Sequence, residues 1–132
     1  MKHTISILCD DIPGVMTRIS GLFSRRGFNI ESLTVGHTER EGKSRFTIVV
    51  EGDDGVLEQV RKQLQKLVHV IKVWDLHNDR ILEREHALVK VEVHDQDRAN
   101  LLQLITVLQA RILNSSGAIW VLEITGDSKA VD

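Results

Sequence analysis

Asp10-Asp11-Ile12-Pro13-Gly14-Val15, running on through Met16-Thr17-Arg18-Ile19-Ser20-Gly21-Leu22-Phe23-Ser24-Arg25-Arg26-Gly27-Phe28-Asn29-Ile30, is the stretch that decides the fold. It reads as the end of a strand, a polar turn, a helix, and a second strand carrying Asn29. Pro13, with its fixed φ and missing donor, suits the opening of the helix, beside Gly14. Val15, Ile19, Leu22 and Phe23 then fall at i, i+4, i+7 and i+8, one apolar face of a helix over roughly 14–26. Gly27 stands where a left-handed residue closes such a helix, after Arg25 and Arg26, whose charges suit the negative end of its dipole. Backbone N–H groups left free at the helix start can hold a carboxylate, and Asp11 can hold an ammonium group. These are the requirements of a pocket for a free amino acid.

Upstream, Ile5, Ile7 and Cys9 alternate with Thr4, Ser6 and Leu8 in a first strand. Downstream, residues 28–37 form a second strand, Glu39 to Lys43 a polar turn, and Arg45 to Glu51 a third strand with Phe46, Ile48 and Val50 on one face. Asp53-Asp54-Gly55 offers a helix N-cap, and Leu57, Val60, Leu64 and Leu67 recur at helical spacing. Val68 to Leu76, β-branched and carrying Trp74, reads as a fourth strand before the polar linker His77-Asn78-Asp79-Arg80. The order is βαββαβ, a ferredoxin-like arrangement over residues 1–78.

The pattern then starts again. Ala87, Val89, Val91 and Val93 alternate as a strand, and an Asp95-Gln96-Asp97 cap precedes Leu101, Leu104, Ile105 and Leu108 on one helical face. Ile112 and Leu113, a Ser115-Ser116-Gly117 turn, and Ala118 to Ile124 supply two more strands, and Gly126-Asp127-Ser128 resembles another helix cap. The expected fold class is α+β: a first domain over 1–78, a linker over 79–84, and a second ferredoxin-like domain over 85–132, incomplete at its C-terminal end. Such a half exposes one side of its sheet, so it is expected to be weakly ordered alone or covered by a partner chain.

With 132 residues, 42% of them hydrophobic, the chain can bury a core. Seventeen basic and nineteen acidic residues leave a net charge of −2, which gives no broad field to attract nucleic acid or anionic lipid. Cys9 is the only cysteine, so an intramolecular disulfide and any multi-thiolate metal site are excluded. The N-terminus leads directly into a strand, without a signal segment or an 18-residue apolar run, and a cytoplasmic location is expected, or the plastid stroma if the chain is organelle-encoded.

Candidate chemistry is sparse. The pairs Asp10-Asp11 and Asp53-Asp54 both precede helices, where acidic residues cap orphan N–H groups; capping is the reading for the second pair, ligand binding for Asp11 because of its company. Six histidines show no metal-holding spacing and read as scattered surface residues. No nucleophile elbow, P-loop or dinucleotide fingerprint is present, so no catalytic residue is assigned. Gly21, mid-helix, where glycine costs about 1 kcal/mol relative to alanine, is expected to answer a close packing contact. Gly14 leaves room for a carboxylate to approach the backbone. Phe28 and Trp74 are too few aromatics for an RNA-binding βαββαβ sheet, and a metallochaperone would need two thiolates in the first loop.

The run Arg18 through Val35 resembles the regulatory small subunit of acetolactate synthase, also called acetohydroxyacid synthase, a family built on an N-terminal ACT domain. Leu57-Glu58-Gln59-Val60, Lys62 through Val68, Glu83-Arg84-Glu85 and Leu88-Val89-Lys90-Val91 extend the likeness to about residue 93. The resemblance implies a non-catalytic chain that binds the thiamine-diphosphate-dependent catalytic (large) subunit and raises its activity. It also implies feedback inhibition by valine, or another branched-chain amino acid, in branched-chain amino-acid biosynthesis. Thiamine diphosphate, Mg and FAD are implied for the catalytic partner only, with no cofactor or metal in this chain and neither nucleic acid nor membrane as partner. It further implies a homodimer through paired ACT domains, with the effector between the first turn of one and the second strand of the other. By position, the contacts are Asp11, Gly14, Val15, Asn29 and Ile30. The residue chemistry agrees: helix-start N–H groups for the carboxylate, Asp11 and Asn29 for the ammonium, Val15 and Ile30 for the aliphatic tail. The alternative is a free-standing ACT-domain amino-acid sensor acting on a different target.

Overall fold

The structure, a computed structural model, describes residues 2–76, 81–127 and 131. It divides into two compact units, Met1–Ile81 and Leu82–Asp132. In the first, β1 (Lys2–Asp10), α1 (Val15–Arg25), β2 (Ile30–His37), β3 (Lys43–Glu51), α2 (Asp54–Gln65) and β4 (Val70–Asp75) follow one another as βαββαβ. The sheet order is β2-β3-β1-β4, with every neighbouring pair antiparallel. This is the ferredoxin-like α+β fold expected from the hydrophobic pattern.

Alternation along the strands decides where the core lies. Ile5 pairs with Ile48 and Ile7 with Phe46, all four buried on the face that the helices cover. Val15, Ile19, Leu22 and Phe23 of α1, and Leu57, Val60 and Leu64 of α2, close the same core. The opposite face of the sheet carries Ser6, Leu8, Arg45, Thr47, Lys72 and Trp74, which share rows through the pairings Ser6 with Thr47 and Trp74, and Leu8 with Arg45 and Lys72.

The two ends of α1 differ. At its C-terminus Gly27 takes φ 77°, the Phe28 N–H bonds to the Phe23 carbonyl at 3.0 Å and the Gly27 N–H to that of Ser24 at 3.1 Å. This paired closure is completed by an edge-on contact of the Phe23 and Phe28 rings, centroids 6.5 Å apart. At the N-terminus Gly14, with φ 90°, is the capping residue, and it makes no side-chain capping bond to the first turn. Pro13 therefore precedes the helix instead of opening it. By contrast α2 is capped as expected, the Val56 N–H bonding to the Asp53 carboxylate at 3.0 Å.

In the second unit, β5 (Glu85–Glu92), a 3-10 turn (Asp95–Asp97), α3 (Arg98–Leu108), β6 (Arg111–Ser116) and β7 (Ile119–Gly126) form a three-stranded antiparallel sheet of order β5-β7-β6 with one helix. Val93, Ile105, Trp120 and Leu122 are its buried cluster. Three expectations are corrected here. Of the apolar face read on α3, Ile105 is buried and Leu101 packs against the cluster, whereas Leu104 and Leu108 are exposed, because the three strands offer too little surface to cover them. Asp97 is the N-cap of α3 but is itself in a helical conformation, and its side chain makes no capping bond. Of Gly126-Asp127-Ser128, Gly126 is the last residue of β7 and not part of a cap, whereas the Asp127 carbonyl accepts from the N–H of helical Val131 at 3.2 Å, as a residue at a helix start does. The linker His77-Asn78-Asp79-Arg80 and Ser128 lie outside the described residues. Among the described residues, no helix is long and apolar enough to cross a membrane.

Candidate functional site

The head of α1 is open. Among the described residues an ideal β-carbon on Gly14 would meet nothing within 4 Å, and no side-chain capping bond closes the first turn. Asp11 stands beside them. Its N–H bonds to the Gly42 carbonyl at 2.9 Å, which ties the loop to the β2–β3 turn, and its carboxylate Oδ2 lies 3.1 Å from His37 Nδ1. His37, the last residue of β2, has no signal in the sequence as a partner of Asp11; only the strand register brings them together. Val15 is different: its side chain is 5% exposed and belongs to the core, so what it offers this opening is its backbone N–H.

Asn29 and Ile30 are found elsewhere. They line an open groove of about 420 Å³ with Phe28 and with Thr17, Ser20, Gly21 and Ser24 along one side of α1. Phe28 reaches it over Gly52, where a β-carbon would meet two ring atoms at 2.9 Å. Gly21 has no β-carbon neighbour within 4 Å among the described residues, so the close contact expected there is absent within the chain. Asp11 and Gly14 thus precede α1, while Asn29 and Ile30 follow it. An eleven-residue helix is about 16 Å long, so one chain does not bring all five residues to one point.

Around this opening the remaining ionisable groups are structural. Asp10 accepts from Lys43 Nζ and lies 3.3 Å from His69 Nδ1; the hydrogen bonds from Lys43 and then His69 hold its carboxyl below the usual range. Burial, followed by the charges of Asp10 and Asp11, pushes the Cys9 thiol up, which makes it an inert core residue. His3 is buried, with Nε2 3.0 Å from Asp54 and Nδ1 3.3 Å from Asp75, which corrects the view of all six histidines as surface residues. Among the described residues no group of three or more His, Cys, Asp or Glu could hold a metal ion.

Two family models match the chain. One, described as the AHAS small subunit-like ACT domain, covers residues 5–72, and the other, described as the small subunit of acetolactate synthase, covers 84–132. The probable acetolactate synthase small subunit of Archaeoglobus fulgidus is 50% identical over 131 residues, 99% of this chain and 82% of that one. The chain belongs to the acetolactate synthase small-subunit family. The Mycobacterium leprae member is 46% identical over 98% of this chain and 77% of its own length. The crystal structure of the Thermotoga maritima small subunit superposes with a TM-score of 0.90 at 42% identity, over 99% of this chain and 82% of that chain. As a member of this family the chain is a non-catalytic subunit of an enzyme complex.

Proposed function

We propose that this chain is the regulatory subunit that activates the thiamine-diphosphate-dependent large subunit of acetolactate synthase, in the cytoplasm or plastid stroma, and imposes feedback inhibition by valine. The observation that carries the valine site is the split between Asp11–Gly14 and Asn29–Ile30 at the two ends of α1. The edge position of β2 supports a way to close it. Leu33 and Val35 are 38% and 40% exposed there, and an unpaired edge of this kind invites a second strand. If two β2 strands pair antiparallel about a two-fold axis, Ile30 of one copy falls beside His37 of the other. Asn29 and Ile30 of the second copy then approach Asp11 and Gly14 of the first.

In that arrangement the valine carboxylate meets the uncapped N–H groups of the α1 first turn, including that of Val15. The ammonium meets Asp11 and the Asn29 amide oxygen, and the aliphatic tail meets Ile30. Inhibition requires that valine prefer one of two arrangements of the complex, with a coupling of about 1–3 kcal/mol.

Gly14→Asp tests the site. It sets a negative side chain where the carboxylate must lie and is expected to abolish valine binding in calorimetry. Gly14→Asn, which tolerates the left-handed conformation, controls for backbone strain. Unchanged valine affinity in Gly14→Asp removes the site. Activity of the large subunit with and without this chain, across valine concentrations, tests the function itself; no change in either rate or valine sensitivity favours the free-standing sensor.

A further inference from the structure

We infer that the helix-free face of the first sheet, centred on Trp74 with Arg45 and Lys72, is the surface that docks an acidic segment of the large subunit. This deepens the function proposed above and rests on it. The guanidinium of Arg45 lies 5.2 Å from the Trp74 ring centroid and the Lys72 ammonium 4.9 Å. Arg45 Nη1 also donates to Ser6 Oγ at 2.6 Å, which fixes the guanidinium against the sheet. The strand register makes this one patch: Leu8 stands between Arg45 and Lys72, and Ser6 beside Trp74.

Charge decides the kind of partner. Among the described residues no carboxylate pairs with either Arg45 or Lys72, although both project from an exposed surface. The nearby Asp10 is engaged by Lys43 and His69, and Glu31 by Lys2 at 3.0 Å. Two cations held over one aromatic ring, without a counter-charge, form a receptor for carboxylates, and a planar guanidinium can take one of them through two bonds. Half-buried Trp74 and Leu8 between them supply an apolar centre, the combination of tryptophan and arginine that dominates binding energy at interfaces. Leu8 lies three residues before Asp11 and Arg45 pairs with Gly36 beside His37, so the patch borders the valine opening from the face of the sheet opposite the helices.

The test is binding of the full chain to the cognate large subunit, by calorimetry at several salt concentrations, for wild type, Arg45→Glu/Lys72→Glu and the milder Arg45→Gln/Lys72→Gln. The expected result is a loss of affinity of roughly tenfold or more for the charge-reversed variant, a smaller loss for the neutral one, and a shallower salt dependence in both. Valine affinity and oligomeric state are expected to stay unchanged, and the melting temperature to fall only slightly, through loss of the Arg45–Ser6 hydrogen bond and the contacts on Trp74. Wild-type binding alongside equally tight binding by both variants overturns the docking face and leaves the regulatory function standing. A wild-type chain that does not bind the large subunit removes that function and this docking face together. Weakened binding accompanied by a changed oligomeric state assigns the face to a second copy of this chain. A lowered melting temperature in the neutral variant with affinity for the large subunit unchanged in both variants assigns it to intrachain packing. Either result overturns the proposal.

Discussion

Asp10 shows how one side chain next to the candidate site works for the fold. Lys43 and His69 both lower its pKa, so the folded state holds its proton less tightly than the unfolded chain does. The stabilisation is then fully present above the unfolded carboxylate value of about 3.9 and disappears as pH falls through the lower folded value. Asp10→Asn is expected to be less stable than wild type at pH 7 in urea titrations, with the gap narrowing below about pH 4; a gap that persists unchanged to pH 2.5 contradicts this. Asp11, one residue on, does different work because its carboxylate points to exposed His37. The place of Asp11 and Gly14 in the turn before α1 was legible, since a polar turn, Pro13 and Gly14 run directly into the apolar spacing of the helix. The sequence also held a conflict at Val15, named both as the first apolar position of α1 and as a ligand contact. A side chain cannot face both ways, and burial won. The partners of Trp74 and of Asp11 were illegible because both depend on cross-strand register, which no local pattern encodes.

The closure of α1 is the feature that aims Asn29. Because Gly27 turns the chain at φ 77° and the Phe28 and Phe23 rings lock together, the following residue enters β2 along the groove. Gly27→Ala is expected to destabilise the fold by about 1–2 kcal/mol, the cost of a left-handed conformation with a β-carbon. A urea midpoint indistinguishable from wild type would show that the closure tolerates it. This element was legible because its signals agree: apolar spacing, two arginines and a glycine all mark one boundary. The heads of the helices were legible to different degrees. Asp53 was recognised as a cap and is one, whereas Asp97 stands at the cap position but is the last residue of a 3-10 turn, so it is already helical and its side chain makes no capping bond. Gly21 carried a real signal with its cause misplaced; its open side belongs to the groove.

For the molecule as a whole, the two units hold their cores differently. Strands and helices close fully over the first, while the second keeps Leu88, Leu104 and Val107 more than half exposed. The repeat was readable from the return of strand alternation at Ala87, but how much of α3 would be covered was not, since that depends on the number of strands beneath it. The first unit's open edge gives a prediction at this scale. Val35→Lys places a charge on the helix-side face of β2, where it opposes strand pairing between copies. Sedimentation is expected to show a monomer, and calorimetry no valine binding, with the circular dichroism of the folded chain retained. A monomer that still binds valine removes the shared site.

With Asp11 and Asn29 separated by the length of α1, the shared site proposed above would give each copy two half-receptors and no whole one. In that design sensing would depend on protein concentration as well as metabolite concentration: dilution below the dissociation constant of the pair silences the response, and saturating metabolite tightens association in return. A sensor of this design reports only when both halves of its own population are present.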